Sequence, residues 1–532
     1  MKIQLIIPMS GIGKRFIDAG YKTPKPLLKV GSKKIINHVV NMFEDIEKVI
    51  FICNEEHLND TNLNLKETLK SLHTKTSIIS IEPHKKGPIF AVTKAESILD
   101  PLLPTIVNYC DFNSLFSFSR FINNLETSNP DGCVFTYTGF HPHMLKNTNY
   151  AYVKKNKSLV IDIQEKQPFT ENPMKEEVSS GTYYFRSAEL MMKYFKKTME
   201  LELQVKGEYY VSMAYKPMIR DQLLIKTFII DYFMQWGTPS DLEEFNWYSN
   251  IFDILSNKET HKKRIYEGCL LMPMAGKGSR FKKKGYPTPK PFIKVSGKAM
   301  YLQAIRDLPR MESVKIITRK ELISNSNKLS DFKDDEIDLS CKFLSGHTNG
   351  QAITALQGAN ENDIKLKKPL IISACDMGMI FDEKKYQDLI SSNEIDVIVW
   401  GCKGYPGALK NPNIYSWIYQ DKKNIISKIS VKNNLKNPKK DYLLIGTFTF
   451  KKAENFIYAT NLSIANKEKI NGEYYIDNVI NKCIEIGLKV VLFEVDYFIC
   501  WGTPDELNTY NYWETCFDKW IDHPFKKKRL IS

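Results

Sequence analysis

The sequence predicts an α/β protein built as two tandem Rossmann-like domains, each a mostly parallel mixed sheet covered by helices. Three observations predict it: a long internal repeat, short apolar β-branched runs alternating with helix-like segments, and a glycine loop directly after the first such run of each repeat. At 532 residues the chain exceeds one small core and fits two domains of about 250 residues. Hydrophobic residues at 43% and charged residues at 26% are ordinary for a globular protein.

The repeat is the firmest of these. Ile7-Pro8-Met9-Ser10-Gly11-Ile12-Gly13-Lys14-Arg15-Phe16 returns as Met272-Pro273-Met274-Ala275-Gly276-Lys277-Gly278-Ser279-Arg280-Phe281, a shift of 265 residues (Gly11 to Gly276). The same shift carries Thr23-Pro24-Lys25-Pro26 onto Thr288-Pro289-Lys290-Pro291, Cys110-Asp111 onto Cys375-Asp376 and Gly181-Thr182 onto Gly446-Thr447. It also carries Gly207-Glu208-Tyr209-Tyr210 onto Gly472-Glu473-Tyr474-Tyr475, and Trp236-Gly237-Thr238-Pro239 onto Trp501-Gly502-Thr503-Pro504. A period this long is a domain duplication rather than a solenoid. The polar stretch from Asn257 to Arg264 separates the copies, giving domains over residues 1–258 and 266–532.

Within the first copy, Ile3–Pro8, Val49–Cys53, Ser77–Ile81, Thr105–Tyr109 and Gly132–Tyr137 read as strands, with helix-like Lys34–Phe43 and Ile89–Leu99 between them. Gly268–Met272, Val314–Thr318, Leu370–Ser373 and Asp396–Trp400 match four of these strands in the second copy. Near-continuous apolar strands imply a sheet covered on both faces, whose ligands bind at the carboxyl ends of the strands. Each glycine loop and each Cys-Asp pair falls there.

Composition excludes some classes. The ten cysteines include no Cys-x-x-Cys pair, so neither a zinc site nor a disulfide framework is expected, and a reducing cytoplasm is the simplest setting. The apolar start runs into a glycine loop and is too short for a membrane span. The net charge of +14 is spread along the chain; its one dense run, Lys526 to Arg529, is terminal, so a nucleic-acid face is not expected.

The chemistry follows from the motifs. The backbone around Gly11 and Gly13, and around Gly276 and Gly278, offers N–H groups to phosphate oxygens, and Arg15 and Arg280 add charge. A tight turn with a surface arginine fits the same residues. Lys25 and Lys290 each sit between two prolines, which hold the backbone extended and would fix a second cation nearby. Asp111 and Asp376 follow apolar strands, where a carboxylate suits magnesium or caps a turn.

Gly-x-Gly-x-Arg followed by Pro-Lys-Pro resembles the signature of the sugar-phosphate nucleotidyltransferases, the glucose-1-phosphate thymidylyltransferase-like family, once per copy. The spelling Met-Pro-Met-Ala-Gly-x-Gly-Ser-Arg-Phe resembles a bacterial branch associated with capsule and lipopolysaccharide sugars. The resemblance implies a nucleotide-diphospho-sugar transferase type of fold and transfer of an NMP group from an NTP to a sugar phosphate or polyol-like acceptor, with pyrophosphate released and Mg2+ as cofactor. It assigns the loops and arginines to the triphosphate, Lys25 and Lys290 to the transferring phosphate, and Asp111 and Asp376 to metal. Lys166, after Glu165, resembles the lysine that contacts the sugar phosphate; its counterpart is Lys432, with Val431 in place of the glutamate. Glu208 and Glu473 resemble the glutamate that hydrogen-bonds the sugar, and Gly350-Gln351 the loop that reads the base.

The departures are as informative. Many members carry a second metal aspartate two residues before Gly-Thr-Pro, where this chain has Gln235 and Cys500. Asp231 and Asp496 lie four residues earlier, about 13 Å further back along a strand. The first copy has Pro88 where the second has Gln351, so base recognition favours the second copy and the Glu-Lys segment the first. Two functions therefore stand open: a nucleotidyltransferase with at least one active half, more readily the second, or a nucleotide-binding regulatory or scaffolding pseudoenzyme. No nucleic-acid partner is expected, and self-association stays open.

Overall fold

The computed structural model describes residues 1–257, 264–323, 339–431 and 437–529. In the first repeat the strands run Thr76–Ile81, Lys48–Asn54, Gln4–Met9, Thr105–Asn108, Glu177–Phe185, Gly132–Tyr137 and Ile225–Ile229 across one sheet. All are mutually parallel except Glu177–Phe185, which is antiparallel to both neighbours. The hairpin Ala151–Asn156/Leu159–Glu165 extends from that reversed strand. Leu5, Ile6, Ile7 and Val49 to Ile52 have no exposed surface, because helices cover both faces; hence the unbroken apolar runs. Ser187 caps the covering helix Ala188–Glu200 by accepting from Leu190 N–H, and Met191, Met192, Tyr194 and Phe195 turn into the core.

The second repeat has the same order: Leu339–Leu344, Arg310–Arg319, Ile265–Pro273, Leu370–Ser373, Tyr442–Phe450, Val397–Cys402 and Val490–Glu494. Here Tyr442–Phe450 is the reversed strand and carries the hairpin Trp417–Gln420/Ile426–Ser430. Each repeat adds a short antiparallel ladder: Phe112–Leu115 with Tyr232–Gln235, and Met377–Ile380 with Tyr497–Cys500. The ladder brings two motifs far apart in sequence side by side. Trp236 N–H donates to the Asp111 carbonyl at 3.0 Å, and Trp501 N–H to that of Asp376 at 2.8 Å.

The compact units differ from segments 1–258 and 266–532 at their ends. One comprises Met1–Asn246 with Cys516–Leu530, the other Trp247–Thr515. The long helices Pro239–Asn257 and Pro504–Lys519 each pass from one unit to the other part-way along. Aromatic packing is the reason. Within the first unit Trp520 meets His38 edge-on at 5.2 Å, Phe517 meets Phe245 at 5.5 Å, and Asp522 accepts from Lys33 Nζ at 2.9 Å. Within the second, Trp247 Nε1 donates to the Phe498 carbonyl at 3.2 Å and Phe252 packs on Tyr510. No described helix is long and apolar enough to cross a membrane.

Candidate active site

The strand Gln4–Met9 ends in the loop Ser10–Gly13. Gly13 takes a left-handed φ of 72° and starts the short helix Lys14–Asp18, anchored by buried Phe16 against Tyr21. Gly278, at φ 60°, does the same before Ser279–Lys283. Gly11 and Gly276 face open space, and Arg15 and Arg280 are exposed. After each loop the Pro-Lys-Pro turn is pinned by a buried proline and its apolar neighbour, Pro26-Leu27 or Pro291-Phe292. This aims the lysine inward. Lys25 Nζ donates to Asp111 Oδ2 at 2.7 Å, and Lys290 Nζ donates to Asp376 Oδ2. Burial pulls both ammonium groups down, but the aspartates, with the neighbouring cysteines, outweigh it and raise them, so both lysines stay charged.

The space beside each aspartate is kept by a glycine. A Cβ on Gly237 would lie 2.8 Å from Asp111 Oδ2 and 3.3 Å from Gln235 Nε2; one on Gly502 would lie 3.0 Å from Asp376 Oδ2. Asp231 and Asp496, considered from sequence as metal ligands, are elsewhere. The ladder pairs Gln235 with Phe112 and Cys500 with Met377, next to the site aspartates, whereas Asp231 N–H reaches Leu115 and Asp496 N–H reaches Ile380 at the opposite ends. Regular pairing, with no bulge to shorten the distance, keeps them away. Asp231 is exposed and sits 3.7 Å from Arg120 Nη2. Burial, then Glu506 and Asp376, push the Cys500 thiol well up, so it offers no thiolate.

In the first repeat a cavity of about 220 Å³ gathers Arg15, Asp111, Glu165, Lys166, Tyr210 and Gln235. Lys166, in a left-handed backbone at φ 61°, donates to Tyr210 Oη and lies over its ring at 4.2 Å. Burial lowers its ammonium, opposed by the charges of Glu165 and Glu208; Glu208 is not among the residues that line the cavity. Ser212 was not singled out from sequence, since it sits in no repeated motif; Glu165 and Tyr210 were quoted only as neighbours of Lys166 and Glu208, with no role of their own. Ser212 Oγ donates to Glu165 Oε2 at 2.6 Å, yet desolvation raises this carboxyl to about 7. A group protonated more readily when folded stabilises fully below its unfolded value of 4.5, and that contribution is lost as pH rises through about 7. Glu165→Gln is therefore expected to flatten the pH dependence of unfolding between these values, measured by denaturant titration. An unchanged profile contradicts the assignment.

The second repeat differs. Lys432 lies outside the described residues. Glu473 is exposed on its loop, and Val431 packs against the core. The expected base loop is seated in both copies on the Gly-Glu-Tyr-Tyr backbone. Tyr474 N–H donates to the Asn349 carbonyl at 2.8 Å and Ala352 N–H to that of Tyr474 at 3.1 Å; Lys86, Tyr209 and Ile89 repeat this pattern. Gly350, at φ 116°, is required, because a Cβ there would lie 2.5 Å from the Tyr474 N and O. Gln351 opens the helix Gln351–Ala359, where Pro88 opens Pro88–Thr93.

Residues 5–246 match the model described as nucleotidyl transferase. The first repeat belongs to the nucleotidyl transferase family. With the order of strands and the phosphate-loop motifs repeated, the chain carries two tandem nucleotidyl transferase domains. Among curated relatives, the bifunctional protein GlmU of Methanococcus aeolicus is 23% identical over 282 residues, covering 50% of this chain and 59% of that protein. GlmU of Buchnera aphidicola subsp. Schizaphis graminum is 30% identical over 195 residues, 36% of this chain and 38% of that protein. The chain thus spans about three-fifths of the length of the first of these relatives and two-fifths of the second. A solved nucleoside-diphosphate-sugar pyrophosphorylase from Vibrio cholerae aligns at 22% identity with a TM-score of 0.37, over 44% of this chain and 97% of its own.

Proposed function

We propose that this protein transfers a nucleoside monophosphate from an NTP to a sugar phosphate or similar phosphorylated acceptor, releasing pyrophosphate, and so supplies activated sugar for capsule, lipopolysaccharide or another surface polysaccharide. The observation that carries this is the pairing of the Pro-Lys-Pro lysine with the strand-end aspartate in both repeats. A fixed ammonium beside a carboxylate, under a glycine loop with an exposed arginine, suits phosphate chains whose charge must be held during transfer.

In this reading the backbone at Gly11, Gly13, Gly276 and Gly278, with Arg15 and Arg280, binds the triphosphate. Lys25 and Lys290 stabilise charge on the α-phosphate and the departing pyrophosphate. The acceptor phosphate attacks in line, so no protein nucleophile is needed. Lys166 and Glu208 orient the acceptor in the first repeat, and Glu473 and Lys432 are their counterparts. Asp111 and Asp376 would hold Mg2+: each presents oxygen to a space that a Cβ would fill, and oxygen is what this hard cation takes. Bound there, the ion would neutralise phosphate charge. No group of three or more His, Cys, Asp or Glu able to hold a metal occurs among the described residues, so substrate phosphates and water would complete its shell. All ten cysteines are free, which suits a cytoplasmic setting.

One observation favours a binding rather than a turnover role for the first repeat. The Gln235 amide, a donor, stands beside Asp111 where a second carboxylate would be useful. Pyrophosphate release by the full chain with Mg2+, across a panel of nucleoside triphosphates and sugar phosphates, tests the proposal. Nucleotide binding without turnover on any pair would leave the pseudoenzyme reading in its place.

A further inference from the structure

In the second repeat two carboxylates converge on one space free of side chains. The Cβ position at Gly502 is 3.0 Å from Asp376 Oδ2, 3.3 Å from Cys500 Sγ and 3.6 Å from Glu506 Oε2. Glu506 lies in the first turn of the helix Pro504–Lys519. Tyr415 Oη donates to its Oε1, and Thr503 Oγ1 donates to its Oε2 at 3.0 Å while accepting from Glu506 N–H. These contacts fix the carboxylate and leave acceptor capacity on Oε2.

A helix cap alone is a simpler account, since Thr-x-x-Glu is a capping box. The first repeat shows that the cap does not need glutamate. There Asp241 makes the same contacts with Thr238, accepting from Oγ1 at 2.6 Å and donating its N–H at 3.2 Å. Nearest the Gly237 Cβ position stand Asp111 Oδ2 at 2.8 Å and the Gln235 amide at 3.3 Å. Glutamate is one methylene longer than aspartate, and in the second repeat its Oε2 comes within 3.6 Å of the Gly502 Cβ position. The shorter Cys500 side chain leaves that space clear of an amide.

We propose that Glu506 is the second carboxylate ligand of a divalent cation held with Asp376 in the second repeat, in the role for which Cys500 has no oxygen. Magnesium bound by one or two carboxylates and completed by phosphate oxygens fits this donor set. Beside Asp111 stands the Gln235 amide, a donor, so the two repeats are expected to differ in how tightly they hold the ion. The reason for a cation rests on the nucleotidyl-transfer reading; the test does not require turnover.

Mn2+ is the probe, titrated into the full-length chain and followed by the paramagnetic resonance signal of the free ion. Glu506→Asp keeps the cap, as Asp241 does, but shortens the reach; Glu506→Gln keeps the length and one accepting oxygen for Tyr415 or Thr503 but removes the charge. Both variants are expected to weaken the tighter Mn2+ site at least tenfold, with Asp241→Asn leaving it unchanged. Cys500→Asp, added to Glu506→Gln, is expected to restore binding. Wild-type affinity in Glu506→Asp, an equal loss in Asp241→Asn, or no Mn2+ binding by the unaltered chain overturns the proposal. Mn2+ loss in Glu506→Asp by a protein that turns over no substrate pair would keep the site and discard the enzymatic reading.

Discussion

Lys290→Ala is expected to lower pyrophosphate release by about 10²–10³-fold, the loss typical when one fixed group facing developing charge is removed. The reason lies in its setting. Lys290 is held by a turn with prolines on both sides, charged because Asp376 offsets the effect of burial, and only about one-fifth exposed. A mobile surface lysine cannot replace it. Removing it also leaves Asp376 without its cation, so thermal unfolding must be measured alongside, and the double variant Lys290→Ala with Asp376→Asn separates lost charge from lost folding. Lys25→Ala in the first repeat is expected to retain turnover while losing nucleotide or phosphate binding there, because Gln235 stands in place of a second carboxylate. Turnover within twofold of the unaltered chain in Lys290→Ala refutes the site.

Trp520→Ala is expected to destabilise the first unit although Trp520 lies within the second repeat of the sequence. Its ring is 6% exposed and touches His38, Trp236 and Phe245. Truncating a buried tryptophan costs about 3–5 kcal/mol, a large share of the 5–15 kcal/mol that typically holds a domain together. Hydrogen exchange resolves the location: amides of the strand Gln4–Met9 should exchange faster, while those of Ile265–Pro273 should not. Faster exchange confined to the second unit contradicts the assignment of Cys516–Leu530 to the first. Residues 1–258 produced alone should show the same weakness in stronger form, so variants of the full chain are the sounder way to separate the halves.

The parallel strands were legible because burial on both faces leaves apolar runs such as Leu5-Ile6-Ile7, and the site was legible where motifs recur. Lys25 with Asp111 and Lys290 with Asp376 were assigned to one centre from resemblance, and the fold brings each pair into contact. Less was legible where contact depends on long-range packing. Glu165 and Ser212 meet only because the hairpin strand Leu159–Glu165 passes the turn Val211–Ala214. Asp231 and Asp496 share a strand face with the residues beside the site, but periodicity cannot say at which end of the ladder the site aspartate lies. Glu506 reads as a helix cap until the open position at Gly502 is seen. The aromatic residues that close each unit from the far end of a long helix left no periodic mark at all.

The assignment of Cys516–Leu530 to the first unit has a consequence for synthesis. Met1–Asn246 leaves the ribosome before Trp247–Thr515, and the segment that covers His38 and Trp236 follows only after it. At typical rates of 5–20 residues per second, roughly 10–50 s of translation separate the two. Throughout that interval the nascent first domain presents an uncovered aromatic face, a natural target for a chaperone that binds apolar surface.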